Sequence, residues 1–164
     1  MPRLLRVSPL TREAFLPYGD VLDAEGECDD RANGGAVEVF RDRARIDVDA
    51  FGGRLAMSVV RTAPRALPLL VDRMERHPLG SQAFSPLAAE DWLVVAAPAG
   101  ELNPEAIVAF RAHARQGVNY LRGVWHHPLV ALGRVSEFLV AERAGEGDNF
   151  ELRTLSEPWL IEAL

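Results

Sequence analysis

Cysteine and clustered positive charge are both scarce in this sequence. Its 164 residues contain one cysteine, Cys28, which excludes an intrachain disulfide and a zinc site built from several cysteines. The formal net charge is −6, and no run of basic residues occurs. Binding to nucleic-acid phosphates needs clustered Lys and Arg. We therefore expect neither a disulfide framework nor a nucleic-acid-binding protein.

Long hydrophobic runs are lacking as well. No apolar stretch approaches the roughly 20 residues that cross a bilayer, so we expect no membrane span. The first segment, MPRLLRVSPL, lacks the apolar core of a secretory signal. A lone thiol fits a reducing compartment, and we expect a cytoplasmic protein. The length and the apolar fraction of 48% predict a single domain over residues 1–164.

Short segments rich in Val, Leu and Phe recur along the chain, bounded by Pro, Gly or Asp, and predict strands. They are AVEVFRD, RLAMSVVRT, LPLLVDRMERH, SQAFSPL, DWLVVAAP, GVNYLRGVWHH and VSEFLVAER. Regular alternation of strands with helices is absent, which argues against a doubly wound sheet. The pattern predicts a mainly β protein, a jelly-roll barrel with a few short helices.

Two segments predict those helices. SPLTREAFLPYGD places Thr11 as N-cap of a short helix that ends near Pro17. NPEAIVAFRAHARQG places Asn103 as N-cap and Pro104 at the first helical position, followed by an apolar stripe at helical spacing. His113 lies off that stripe, and we expect it at the surface.

The first segment with side chains suited to catalysis or metal binding is MERHPLGSQAF. If a strand ends here, Glu75 and His77 share one face of it, because side chains alternate along a strand. The turn Pro78–Gly80 follows, and Gln82 begins a return strand that can present its side chain to the same space. Three polar side chains are thus expected at one end of the barrel.

The second segment is YLRGVWHHPL. If it is extended, Arg122 and His126 share one face while His127 lies on the other. Only one of the adjacent histidines can then enter the barrel, and we favour His126. We expect His127 to be structural or to contact a second subunit.

These spacings resemble the two motifs of the cupins, small jelly-roll barrels. Glu75-x-His77-x4-Gln82 is similar to the first motif, His-x-His-x4-Glu, with two substitutions, and Gly123-x-x-His126 is similar to the second. The longer strings FLPYGDV, ERHPLGSQAFSPL, QGVNYLRGVWHHPL and ERAGEGDNFE resemble the ureidoglycolate lyase family from about residue 10 to the C-terminus. Phe150 is a departure, since that family often has cysteine there.

The resemblance implies a cupin-like fold, a homodimer and cleavage of (S)-ureidoglycolate to glyoxylate and urea in allantoin degradation. That reaction needs a base at the hydroxyl and an acid at the departing nitrogen, and histidine and carboxylate side chains serve both tasks. The candidate catalytic residues are His77, His126, Glu75 and Gln82. The same four residues are the candidate ligands of a divalent metal, which the resemblance implies to be nickel; metal-free chemistry stays open.

The candidate substrate-binding residues are those that can hold a carboxylate or an amide. Arginine holds a carboxylate by two parallel hydrogen bonds. The set is Arg122, Arg61, Asn119 and Asn149.

Two other functions stay open at this point. One is a metal-free cupin isomerase or epimerase acting on a small hydroxy acid. The other is a non-catalytic cupin module that binds a small acid. Only the second predicts a cavity without a base.

Overall fold

The computed structural model describes residues 3–164 and is built almost entirely of strands. One α-helix, α1 (Arg12–Phe15), is joined by short 3-10 helices at Asn33–Gly35, Ala50–Gly52 and Pro104–Ala106. The strands are β1 Arg3–Leu4, β2 Val7–Pro9, β3 Gly19–Leu22, β4 Asp30–Ala32, β5 Val37–Val39, β6 Arg54–Thr62, β7 Leu69–Arg76, β8 Gln82–Ala88, β9 Trp92–Ala97, β10 Val108–Ala112, β11 Gly117–Tyr120, β12 Trp125–His126, β13 Val130–Ala131, β14 Ser136–Ala144 and β15 Glu151–Ile161.

Two sheets face each other and enclose the main core. The larger sheet has the strand order β1-β15-β7-β12-β9-β10-β2, with β13 also paired to β9. The smaller sheet has the order β3-β11-β8-β14-β6, and β4 pairs with β5 separately. Both sheets contribute to the inter-sheet core, which includes Val94 and Phe110 from the larger and Phe84, Val118 and Phe138 from the smaller. The mainly β, cupin-like fold expected from the sequence is confirmed.

Strand β9 is the centre of the larger sheet and is buried on both faces. Trp92 and Val94 pack in the inter-sheet core, whereas Leu93 and Val95 pack in a second core on the opposite face. A strand covered on both sides reads as a continuous apolar run, as WLVVAA does. This strand pairs with β12 and so fixes the position of His126.

The corner after β7 carries the chain from one sheet to the other. β7 pairs with β12 and β15 in the larger sheet, while β8 pairs with β11 and β14 in the smaller. Residues 77–81 therefore connect the two walls of the barrel. The predicted turn at Pro78–Gly80 is present, and Gln82 begins β8 as expected.

The predicted short helix at the start of the chain is confirmed, because Thr11 accepts a hydrogen bond from the Ala14 backbone nitrogen at 3.1 Å and caps α1. The helix predicted over NPEAIVAFRAHARQG is wrong. Asn103 does cap a turn, at Pro104–Ala106, but the chain then continues as β10 between β9 and β2. Phe110 and Ala112 of β10 pack in the inter-sheet core and Ala109 packs in the second core, and periodicity alone does not distinguish such an apolar strand from a helix.

The extended segment predicted from Gly117 to His127 is interrupted. Leu121–Val124 form a turn, closed by a hydrogen bond from the Val124 nitrogen to the Leu121 oxygen at 3.1 Å, and Gly123 has φ of 74°. The argument that Arg122 shares a strand face with His126 is therefore wrong. β15 was not expected from the sequence at all; its charged residues and Pro158 hide the pattern.

In the part of the chain that the structure describes, no helix is long and apolar enough to cross a membrane.

Phe138 should be one of the main contributors to stability. Its side chain has 0% exposure and packs edge-on against Trp92, with ring centroids 5.0 Å apart. Phe138→Ala is expected to lower the free energy of unfolding by about 3–5 kcal/mol, because it leaves a cavity between the sheets. The measurement is urea-induced unfolding followed by fluorescence.

Phe51→Ala is the control for that experiment, because the Phe51 side chain is 82% exposed. It should change the free energy of unfolding by no more than about 0.5 kcal/mol. Equal losses in the two variants would contradict the assignment of the core.

Candidate active site

Glu75, His77 and His126 form the centre of the site. One potential ligand atom from each lies within 4.8 Å of the others. Glu75 is on β7 and His126 is directly opposite it on β12, so both side chains leave the same face of the larger sheet. His77 lies directly after the end of β7, two residues from Glu75. Strand pairing and alternation thus bring together three of the four residues predicted as catalytic.

The imidazole of His77 is held by the loop that precedes β15. Its Nδ1 lies 2.9 Å from the backbone oxygen of Asn149. A carbonyl oxygen only accepts hydrogen bonds, so Nδ1 carries the proton and Nε2 of the neutral ring keeps its lone pair. That Nε2 is buried and has no hydrogen-bond partner among residues 3–164. It is available to a metal or to a donor on a substrate.

His126 has a similar arrangement and lies deeper. Its side chain is 1% exposed, and its ring stacks on Tyr120 with centroids 4.2 Å apart and planes 10° from parallel. Nδ1 lies 3.3 Å from the backbone oxygen of His127 and 3.7 Å from Oε1 of Glu75. Nε2 is again buried without a partner in the described chain. Burial is the main reason that the pKa of His126 falls to about 3, so the ring is neutral at physiological pH.

The pKa values of Glu75 and Tyr120 shift in the opposite direction, upwards. Burial raises the pKa of the Glu75 carboxyl, and a protonated His77 would only partly offset this. Burial also raises the pKa of the Tyr120 hydroxyl, with the negative charge of Glu75 adding to the effect. Glu75 can therefore take up a proton more readily than an exposed glutamate, while Tyr120 stays protonated.

A second row of polar side chains lies on the facing wall. Tyr120, Gln82 and Glu142 are direct neighbours across β11, β8 and β14, so their side chains leave the same face of the smaller sheet. Gln82 Nε2 donates to Glu142 Oε2 at 2.8 Å. Gln82 Oε1 is buried, and the described residues offer it no hydrogen bond. The fourth predicted catalytic residue thus lies on the wall opposite Glu75.

His127 lies on the other side of the larger sheet. Its Nδ1 is 2.8 Å from the backbone oxygen of Pro128, and its electrostatic neighbours are Asp72, Arg65 and Arg73. The two adjacent histidines therefore lie on opposite faces of the larger sheet, and only His126 lies in the inter-sheet space.

The arginines predicted to hold a carboxylate are both engaged in ion pairs. Arg122 pairs with Asp47 at the turn before β12. Arg61 pairs with Glu137 at 2.6 Å and has a side chain that is 72% exposed. Glu137 is five residues from Glu142 along β14, which is about 17 Å in an extended strand. The structure does not bring Arg61 to the cluster.

The two predicted asparagines have different positions. Asn119 precedes Tyr120 on β11 and faces away from the cluster; its Nδ2 donates to Asp20 Oδ2 at 3.0 Å and to the Arg45 oxygen at 3.1 Å. Asn149 is at the cluster, but its Oδ1 accepts a hydrogen bond from the Leu79 nitrogen at 2.8 Å. The hydrogen bonds of its side chain and of its backbone oxygen hold residues 77–80 in place.

Sequence reasoning missed Glu142 and left Tyr120 undecided. The segment VSEFLVAER contains the signal for Glu142. Phe138, Val140 and Glu142 are every second residue of it, so they lie on one face of a strand. A carboxylate that continues a core-facing row is an inward charge and needs a partner. Tyr120 follows Val118 in the same manner.

Three comparisons place this chain among known proteins. The family model described as Ureidoglycolate lyase matches residues 2–162. Proteins named ureidoglycolate lyase from Burkholderia cepacia and Burkholderia mallei are 52% and 48% identical to it, over 97% and 98% of this chain and 90% and 95% of theirs. Ureidoglycolate lyase 1 of Rhizobium meliloti is 46% identical over 98% of this chain and 95% of its own. Among solved structures, a dTDP sugar isomerase from Desulfovibrio desulfuricans covers 86% of this chain and 87% of its own, with 21% identity and a TM-score of 0.42.

The buried neutral His126 should make stability depend on pH. Its pKa is about 3 in the folded protein against the ordinary 6.5 of an exposed imidazole, so the unfolded chain binds more protons between these values. The free energy of unfolding should fall as the pH drops from 6.5 towards 3, with a steepest slope from this residue of about 1.4 kcal/mol per pH unit. Glu75 contributes with the opposite sign. His126→Gln should flatten the dependence, measured by urea unfolding across that range.

The matched control is His113→Gln, because the His113 side chain is 46% exposed. This variant should keep the wild-type slope. The same slope in His126→Gln as in the wild type would contradict a buried neutral imidazole.

Proposed function

The chain belongs to the ureidoglycolate lyase family, and on that basis we propose that it cleaves (S)-ureidoglycolate to glyoxylate and urea through Glu75, His77 and His126. The observation that carries the proposal is the cluster itself, in which a carboxylate and two imidazoles lie within 4.8 Å. Both imidazoles keep an unpartnered, buried Nε2 within the described chain. A buried acceptor without a protein partner is typical of a position that binds water, an ion or a ligand.

The reaction moves one proton and breaks one bond. The hydroxyl carbon of ureidoglycolate also carries the urea nitrogen and a carboxylate. Loss of the hydroxyl proton forms the C=O of glyoxylate, the C–N electron pair passes to nitrogen, and that nitrogen takes up a proton to give urea. No proton is gained or lost overall, so a single group that accepts and returns the proton can serve both steps.

Glu75 fits that task better than His126. Its pKa is raised towards the neutral pH range. A group whose pKa is close to the working pH both accepts and returns a proton efficiently. The lowered pKa of His126 makes it a poor base and a good neutral ligand. His77 Nε2, nearer the surface, can accept a hydrogen bond from the substrate or bind a metal.

The donor set fits a divalent metal. His77 Nε2, His126 Nε2 and Gln82 Oε1 would hold it, with Glu75 as the fourth candidate ligand only if another group moves the proton, and imidazole with oxygen ligands suits nickel among other first-row metals. All but Glu75 contribute an acceptor that lacks a partner among the described residues. When bound, the metal would polarise the hydroxyl and lower the cost of the developing negative charge.

The charge of the cavity also favours a cation. The larger sheet contributes Glu75 and the smaller sheet Glu142, and the substrate is itself an anion. Arg122 remains a proposed clamp for its carboxylate but must first leave its ion pair with Asp47, whereas Arg61, paired with Glu137 of β14, lies too far from the cluster to reach it without a larger rearrangement. A metal would balance the charge without that cost.

We propose a homodimer that forms through β6. This strand is an edge of the smaller sheet. Leu55, Met57 and Val59 form a stripe on its outer face, with exposures of 46%, 61% and 62%. An open edge with an apolar stripe is suited to pairing with a second copy of the same strand. We further propose that residues 1–164 act as one cupin-like domain in the cytoplasm.

Product analysis tests the reaction. Purified protein given ureidoglycolate should release glyoxylate and urea in equal amounts, and Glu75→Gln should lower kcat by at least about 100-fold, since a positioned acid or base is worth about 10²–10⁴. Incubation with a chelator should reduce activity, and nickel should restore it.

Two results would contradict the proposed reaction. Release of ammonia and carbon dioxide would indicate hydrolysis of the urea group instead. No turnover, with isomerisation of a hydroxy acid in its place, would favour the cupin isomerase that the sequence left open. A Glu75→Gln enzyme with wild-type kcat would remove Glu75 from the proton transfer.

The dimer is tested by placing a charge in the stripe. Met57→Glu is expected to give a monomer in sedimentation velocity at a concentration where the wild type is dimeric, because pairing would bury the new carboxylate. Leu4→Glu is the control, since Leu4 is 58% exposed on β1 in the other sheet. A monomeric wild type, or a dimeric Met57→Glu, would contradict this interface.

A further inference from the structure

The side-chain amide of Gln82 has a fixed polarity, set by Glu142. Gln82 Nε2 donates to Glu142 Oε2 at 2.8 Å across β8 and β14. A carboxylate only accepts hydrogen bonds, so the amide nitrogen must face it. The amide oxygen must then point away from Glu142.

That oxygen belongs to the wall that faces the histidines. Gln82 lies beside Tyr120, whose ring stacks on His126. Gln82 Oε1, His77 Nε2 and His126 Nε2 are all buried acceptors without a hydrogen-bond partner in the described part of the protein. Acceptors from both walls are therefore left for a cation or for donors on a bound molecule.

Glu142 is not one of the residues that form the cluster. The group within 4.8 Å consists of Glu75, His77 and His126. Glu142 instead contacts the side of Gln82 that is turned away from its free oxygen. Its hydrogen bond with Gln82 is the contact that links it to the free acceptors.

We propose that Glu142 is a positioning residue that keeps the Gln82 oxygen directed at the His77–His126 pair. Without the carboxylate, the amide can reverse, so that Nε2 donates to an imidazole Nε2. The reversed amide would use up a lone pair needed for binding and present a donor to any cation. This inference rests on the proposed function and adds a residue to the same site.

A double-mutant cycle tests the inference. Glu142→Gln removes the group that orients the amide. Gln82→Ala removes the amide itself. In the double variant Gln82→Ala/Glu142→Gln, loss of the Glu142 carboxylate should cost nothing further if this residue acts by orienting Gln82. Glu38→Gln, on β5 and ion-paired with Arg31, is the control for the substitution itself.

Two measurements are made on each full-length, chelator-treated protein. The first is the affinity for Ni²⁺ alone, by calorimetry, and the second is kcat/KM for ureidoglycolate after nickel is restored. Each single variant should lose about 10–100-fold in nickel affinity and in kcat/KM, the usual effect of removing a ligand or the group that orients it. The double variant should bind nickel as tightly as Gln82→Ala, and Glu38→Gln should match the wild type.

The inference is overturned if Glu142→Gln behaves like Glu38→Gln in both measurements, or if the double variant binds nickel more weakly than Gln82→Ala, because Glu142 would then not act through Gln82. A wild type that binds nickel but does not cleave ureidoglycolate would defeat the proposed function, while the pattern of nickel affinities would still decide the role of Glu142. A wild type that neither binds nickel nor turns over the substrate would overturn both. Thermal melting of every variant identifies any that fail to fold.

Discussion

The site depends on the rule that a buried polar side chain needs a hydrogen-bond partner. For His77 and Gln82, the protein supplies a hydrogen-bond partner to only one of the two polar atoms of each side chain. The Asn149 carbonyl accepts from His77 Nδ1, and the Glu142 carboxylate accepts from Gln82 Nε2. Each of these bonds fixes the orientation of a side chain and leaves its opposite atom free. The proposed binding site consists of these free atoms, which belong to one inter-sheet space.

Much of this arrangement was predictable, because it follows from local geometry. Alternation along a strand placed Glu75 and His77 on one face and separated His126 from His127. The turn residues Pro78–Gly80 indicated the change of direction before Gln82. These features need only the period of a strand and the chemistry of a turn, both of which are visible in a few residues.

Two of the failures share a different cause, which is dependence on distant parts of the chain. β10 reads as a helix because its apolar residues face two cores, and only pairing with β9 and β2 makes it a strand. β15 pairs with β7 across a register shift between Thr154 and Trp159, around Pro158. Neither pairing is encoded in a local pattern. The third failure is local: Arg122 left the predicted face because Gly123 adopts a positive φ and closes a four-residue turn.

The corner between β7 and β8 limits how far apart the two walls can move. His77 on one wall and Gln82 on the other are joined by five peptide units, which reach at most about 18 Å when fully extended. The width of the space is therefore bounded here by covalent bonds, whatever happens to the packing. If the sheets separate, they must hinge at this corner. The far end of the barrel would then widen first, while His77 and Gln82 stay close together.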